Sequence, residues 1–213
     1  MKNIYVGVDP SINSTGVVIR IVEGDKKDTH FYIIKCNSHL LKKNGEEKNP
    51  LTKAEQKAQK ANDNFDYILY DKWYGNDDKS SYEREMLKTV SLGNICDALA
   101  NICAETYNSN TPCKMYACIE GISYGSSGKT TAIFDLAGLN YLMRKTLMYH
   151  CDTLTIAPPG HVKKFATGNG SADKDAMITV FDAICPGLDI PKKDDIADAY
   201  FMSMIAEEEN KRG

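Results

Sequence analysis

The stretch Val6-Gly7-Val8-Asp9-Pro10, followed by Ser11-Ile12-Asn13-Ser14-Thr15-Gly16, constrains this chain more than any other. Ile4, Val6 and Val8 alternate with other residues, the pattern of a strand with one buried face. Asp9 stands where that strand ends, because Pro10 cannot continue a central ladder. Ser11, Asn13, Ser14 and Gly16 supply turn chemistry, and the apolar run over 17–22 reads as a returning strand. A carboxylate at the lip of such a hairpin is well seated as a metal ligand, since the strand fixes its backbone while its side chain faces solvent. Asp-Pro also begins ordinary turns, so Asp9 alone decides nothing.

The 213 residues suffice for one domain with a sizeable core. There is no run of 18 apolar residues, and the first strand begins almost at Met1, so neither a membrane span nor a secretory leader is expected. Seven cysteines with no C-x-x-C pair read as reduced thiols of a cytoplasmic protein, not as a zinc site or a disulfide frame. The net charge of −3 means that any nucleic acid must be held by a local basic patch.

Residues 30–36 read as a third strand, completing an antiparallel meander. Residues 40–80 then form an insertion. Its first part, 42–60, holds six lysines against three glutamates, and residues 62–85 hold seven acids against three bases. Thr52-Lys53-Ala54-Glu55 is a capping box that opens a polar helix, followed by the aromatics Phe65, Tyr67, Tyr70, Trp73 and Tyr74. Two readings stand: a solvated helix with an aromatic prop, or a flap facing DNA or a partner. A second capping box, Ser80 to Glu83, opens a helix with Leu87, Val90, Ile95, Leu99 and Ile102 on one face. Residues 114–120 form a fourth strand that ends in Glu120, just before Gly121. Parallel pairing with the first strand would bring Glu120 and Asp9 to one sheet edge.

Residues 121–129 are a glycine-rich loop carrying Tyr124 and Lys129, expected to touch substrate. It is no P-loop, because Ser123 stands where that motif needs glycine. The helix expected over 130–149 is apolar on more than one face, so a core or a partner subunit must bury it. A fifth strand spans 153–157. After it, 161–174 reads as a basic, glycine-punctuated loop with Lys163, Lys164 and Lys174, entering a helix through Ser171, a natural seat for phosphate. Near the end, Asp195 and Asp198 lie three apart on one helical face, although Asp194 could replace Asp195 in that pairing.

Asp9, Glu120, Asp195 and Asp198 would repel one another without a cation. Mg²⁺ or Mn²⁺, which prefer carboxylate and water oxygens, would make the grouping sensible, and a pair of such ions can drive hydrolysis of a phosphodiester.

These residues resemble the RuvC-type Holliday-junction resolvases of the RNase H-like superfamily. The resemblance rests on Gly7-Val8-Asp9-Pro10 with Thr15-Gly16, on Ile119-Glu120, on Val162-Lys163 through the Gly168–Lys174 block, and on Asp195-Ile196-Ala197-Asp198-Ala199. It covers most of the chain except 40–80. It implies that Asp9, Glu120, Asp195 and Asp198 are metal ligands of a nuclease, with Lys163 and Lys174 near the cleaved phosphate. It also implies a homodimer formed through 130–149 that nicks two strands of a four-way junction. The chain departs from the family in its acidity and its insertion, and Tyr124 is offset by about one residue from the family's aromatic. Its Asn-, Lys- and Tyr-rich composition resembles a bacteriophage version acting on branched DNA in general, flaps included.

The expectation is therefore an α/β RNase H-like fold: a five-stranded mixed sheet flanked by helices, as one nuclease domain with an inserted segment. Two other classes stay open. One is an actin-like or sugar-kinase-like ATP-binding domain, because Asp9 with Ser14-Thr15-Gly16 resembles a phosphate-binding hairpin. The other is a non-catalytic DNA-binding protein on a nuclease fold.

Overall fold

The computed structural model describes residues 1–37, 49–71, 80–107, 112–122 and 130–212. Three strands, β1 (Lys2–Asp9), β2 (Ser14–Glu23) and β3 (Lys26–Asn37), form the expected antiparallel meander. After helix α1 (Lys53–Ala61), strand β4 (Phe65–Asp71) pairs parallel to β3. Helix α2 (Ser81–Tyr107) crosses to β5 (Cys113–Glu120), which runs parallel to β1. Helix α3 (Thr130–His150) leads to β6 (Thr153–Ala157), parallel to β5. Helices α4 (Pro159–Thr167), α5 (Lys174–Ile184) and α6 (Lys193–Arg212) complete the chain. The sheet order is β4-β3-β2-β1-β5-β6.

Two departures from the sequence expectation concern elements. The sheet has six strands rather than five, the sixth being β4 inside the insertion. Of its aromatics, Phe65, Tyr67 and Tyr70 are buried within the sheet, the first two on one side and Tyr70 on the other, while Trp73 and Tyr74 lie outside the described residues. The segment after β6 is not a loop. Pro159 opens α4, as proline readily does at a first helical position, and Gly168 closes it with φ of 79°. Helix α5 is capped by Asp173, whose carboxylate accepts from the Ala176 amide, so the entry expected at Ser171 falls two residues later.

Period-two alternation sorts β1 between two cores. Ile4, Val6 and Val8 pack with Leu99, Leu139 and Met143 under α2 and α3. Tyr5 faces the other side, where α6 contributes Ile196, Phe201 and Met202 and α5 contributes Phe181. Helix α6 lies very close to the sheet. A Cβ on Gly7 would stand 1.8 Å from the Ala199 carbonyl oxygen, and one on Gly16 would stand 2.4 Å from that of Asp195.

Helix α3 has one buried face, Leu139, Met143 and Leu147, while Phe134 and Tyr141 are 75% and 55% exposed. All seven cysteines are free thiols. No helix among the described residues is long and apolar enough to cross a membrane.

Candidate active site

Asp9 is the last residue of β1 and Glu120 the last of β5, one step beyond the Val8–Ile119 pair of the parallel ladder. Alternation puts Asp9 on the face of Gly7 and Glu120 on the face of Cys118, which is the α6 side of the sheet. The first turns of α6 bring Asp194, Asp195 and Asp198 to the same edge, seated there by the contact between Gly16 and Asp195. Four carboxylates from three separate elements are thereby neighbours, with Asp194 a fifth at their border.

Their electrostatics reflect that crowding. Burial first, then Glu120, Asp198, Asp195 and Asp194, push Asp9 well above the usual carboxylate range. Burial and then Asp198 push Glu120 up to about 7, against the opposing influence of Lys163 and a hydrogen bond with Asp9. Burial likewise lifts Asp198 to about 6, with Lys163 opposing and Asp194 adding to the rise. Asp195 is raised by burial and moderated by the Ser14 hydroxyl, which donates to its Oδ2 over 2.8 Å.

Asp194 behaves differently. Burial acts to raise it, yet the Lys174 ammonium, 2.5 Å from its Oδ2, holds it below its ordinary value. The pairing that sequence left open is thus divided by partner: Asp195 turns to Ser14 and the cluster, and Asp194 to Lys174.

The donor set is all oxygen and anionic, which suits a hard divalent cation. As the side chains stand, no three His, Cys, Asp or Glu among the described residues form a group that could hold an ion. Burial and mutual repulsion favour proton uptake by these groups, which neutralises charge as a cation would. The donor chemistry fits a metal once those protons leave.

Lys163 on α4 is the cation that acts on both Glu120 and Asp198. Lys164, next in the chain, is exposed. Tyr124 and Lys129 lie outside the described residues.

Three supports have only faint sequence signals. Ser14 reads as turn chemistry, yet it orients Asp195. Asn140 of α3, nearly fully buried, donates from Nδ2 to the Glu120 carbonyl over 2.8 Å and so ties α3 to the end of β5. Tyr70 of β4 donates its hydroxyl to the Ile12 carbonyl, bracing the β1–β2 turn from within the insertion. The hairpin itself offers little to a nucleotide phosphate. Thr15 is buried with its hydroxyl donating to the Ser11 carbonyl over 2.6 Å, and Asp195 covers Gly16.

No family model matches the sequence, and no curated protein matches it. Among solved structures, the chain is similar to Thermus thermophilus RuvC, with TM-score 0.53 and 14% identity over 100% of this chain and 97% of that one. It is also similar to T. thermophilus RuvC in complex with Holliday junction substrate, with TM-score 0.54 and 14% identity over 99% and 96%. At such identity the likeness speaks for backbone architecture, and the chain accordingly has the RuvC-type, RNase H-like fold.

Proposed function

We propose that this protein is a metal-dependent endonuclease that cuts branched DNA, resolving four-way junctions by paired nicks as a homodimer. The observation that carries the reading is the convergence of Asp9, Glu120, Asp195 and Asp198 on one sheet edge, with their affinity for positive charge raised by burial and mutual repulsion. The RuvC-type fold supports it.

Asp9, Glu120, Asp195 and Asp198 would hold the metal, Mg²⁺ or Mn²⁺, as a pair of ions. Bound there, it would supply Lewis-acid stabilisation of the charge that develops on a phosphodiester. The chain's own groups do the rest. Ser14 keeps Asp195 aimed at the cluster, and Asn140 keeps the end of β5 in place. Lys163 counters the negative charge that would otherwise repel a phosphate from Glu120 and Asp198. Lys174 is largely exposed and can exchange Asp194 for a DNA phosphate. The exposed apolar side chains of α3, among them Phe134, Tyr141 and Met148, supply a surface for a second copy.

The test is incubation with labelled four-way, flap and linear duplex DNA, each with Mg²⁺, Mn²⁺ or EDTA. Symmetric nicks in the four-way junction with either metal and none in EDTA are expected. Absence of cleavage from every substrate with both metals would remove the nuclease reading and leave a DNA-binding protein on this fold.

A further inference from the structure

We infer that the lysine face of α1 is a second DNA-contacting surface, gripping the phosphate backbone of a duplex arm that leaves the carboxylate edge. This rests on the nuclease reading above for the identity of the polymer.

Lys53, Gln56, Lys57 and Lys60 recur at intervals of three, one and three, so they form one stripe along the helix. The three lysines are exposed and line, with Gln56 and Ala61, a shallow groove of about 440 Å³. None makes an ion pair among the described residues. The helix has one acid, Glu55, and it is turned inward: its carboxylate takes the Lys35 ammonium at 2.6 Å and the Thr52 amide at 2.7 Å. Thus α1 hides its single negative charge and presents three positive ones, on a chain whose net charge is −3.

The position of α1 links this stripe to the site. Lys35, which anchors Glu55, is the register partner of Ser14, and Ser14 donates to Asp195. The start of α1 is therefore at the same sheet edge as the carboxylates. From Lys53 to Lys60 the helix rises about 10 Å, so the three ammonium groups form a short row that long, flexible side chains can spread over neighbouring phosphates of one strand. A row of point charges suits a phosphate backbone without reading its sequence.

The experiment replaces Lys53, Lys57 and Lys60 by Gln in the full chain. Binding to a labelled linear duplex and a labelled four-way junction is followed by fluorescence anisotropy across a salt series in Ca²⁺. A matched control replaces Lys26, Lys27 and Lys114 by Gln, exposed lysines at the opposite sheet edge. Every phosphate that a lysine ceases to neutralise should flatten the log–log salt slope by about 0.9, so the α1 variant is expected to lose up to three such steps and the control none. Lys57→Glu alone, with circular dichroism confirming its helix content, should weaken binding further than Lys57→Gln. If the parent binds and cuts while the α1 variant keeps its salt slope, or if the control flattens it equally, the α1 surface is refuted and the nuclease reading survives. If the parent binds no DNA, both fall.

Discussion

Gly7 lies directly beneath the Ala199 carbonyl, so close that one added methyl would stand 1.8 Å from that oxygen. This contact sets the height of α6 above β1, and with it the position of Asp195 and Asp198 relative to Asp9.

Gly7→Ala is therefore expected to lift α6 and destabilise the fold by about 1–3 kcal/mol, the usual range for overpacking a core. Urea unfolding measures this. Gly93→Ala, in α2 with open space around it, is the counterpart and should be neutral or stabilising by up to about 1 kcal/mol. An unchanged midpoint for Gly7→Ala would mean that the helix does not set the site.

Asp9→Asn and Glu120→Gln should each abolish cleavage while preserving the fold and junction binding in Ca²⁺. Both remove a metal-seeking charge from a place where charge is costly, so neither opens the core. Without metal, Asp9→Asn should melt higher than the parent at pH 8. Cleavage near the parent rate in either variant would exclude these residues from the metal site.

The pH dependence of stability carries a definite sign. Ordinary carboxylates titrate near 4, whereas burial first, joined by neighbouring acids, raises Asp198 to about 6 and Glu120 to about 7. Such groups bind protons more tightly when folded, so the stability they lend is complete below about pH 4. It is lost as pH rises through 6 and 7. The metal-free protein should melt lower at pH 8 than at pH 5, and Mg²⁺ should raise the melting temperature more at pH 8. A metal-independent rise in stability from pH 5 to 8 would contradict the raised proton affinity of these carboxylates.

Lys163→Ala combined with Lys174→Ala should lower cleavage on the order of tenfold or more, equivalent to about 1.4 kcal/mol or greater at the barrier. Junction binding in Ca²⁺ should fall by less. Because Lys174 is 75% exposed, its ion pair with Asp194 contributes only about 0–1 kcal/mol, and the fold should hardly notice its loss. Lys164→Ala should change cleavage little, which single-turnover rates can show.

Tyr141→Glu should convert a dimer to a monomer in light scattering without lowering secondary-structure content, since the side chain is exposed and the core of α3 lies on Leu139, Met143 and Leu147. A parent that is already monomeric at micromolar concentration would count against paired nicking.

Much of this architecture is local and therefore legible along the chain. The alternation of Ile4, Val6 and Val8, the stop at Pro10, the capping boxes at Thr52 and Ser80, and the acid at the end of 114–120 each act over a few residues. They suffice to predict a meander, a crossover helix and a parallel strand, and from these a sheet edge with Asp9 beside Glu120. The start of α6 is legible for the same reason, because a spacing of three puts Asp195 and Asp198 on one face.

What tertiary structure alone decided depends on contacts between residues far apart in sequence. Phe65–Asp71 becomes a strand of this sheet because β3 offers it a parallel edge, a pairing that no local pattern announces. Residues 159–167 become helical because Val162 has a core to enter beside α5 and α6, which a local reading of Lys163, Lys164 and Gly168 cannot see. Asp194 pairs with Lys174 and Asp195 accepts from Ser14, partners 20 and 181 residues away. Sequence determines which groups are charged and which local shapes they favour. Only the packed fold determines which charges share an edge, because burial and proximity are properties of the assembled chain.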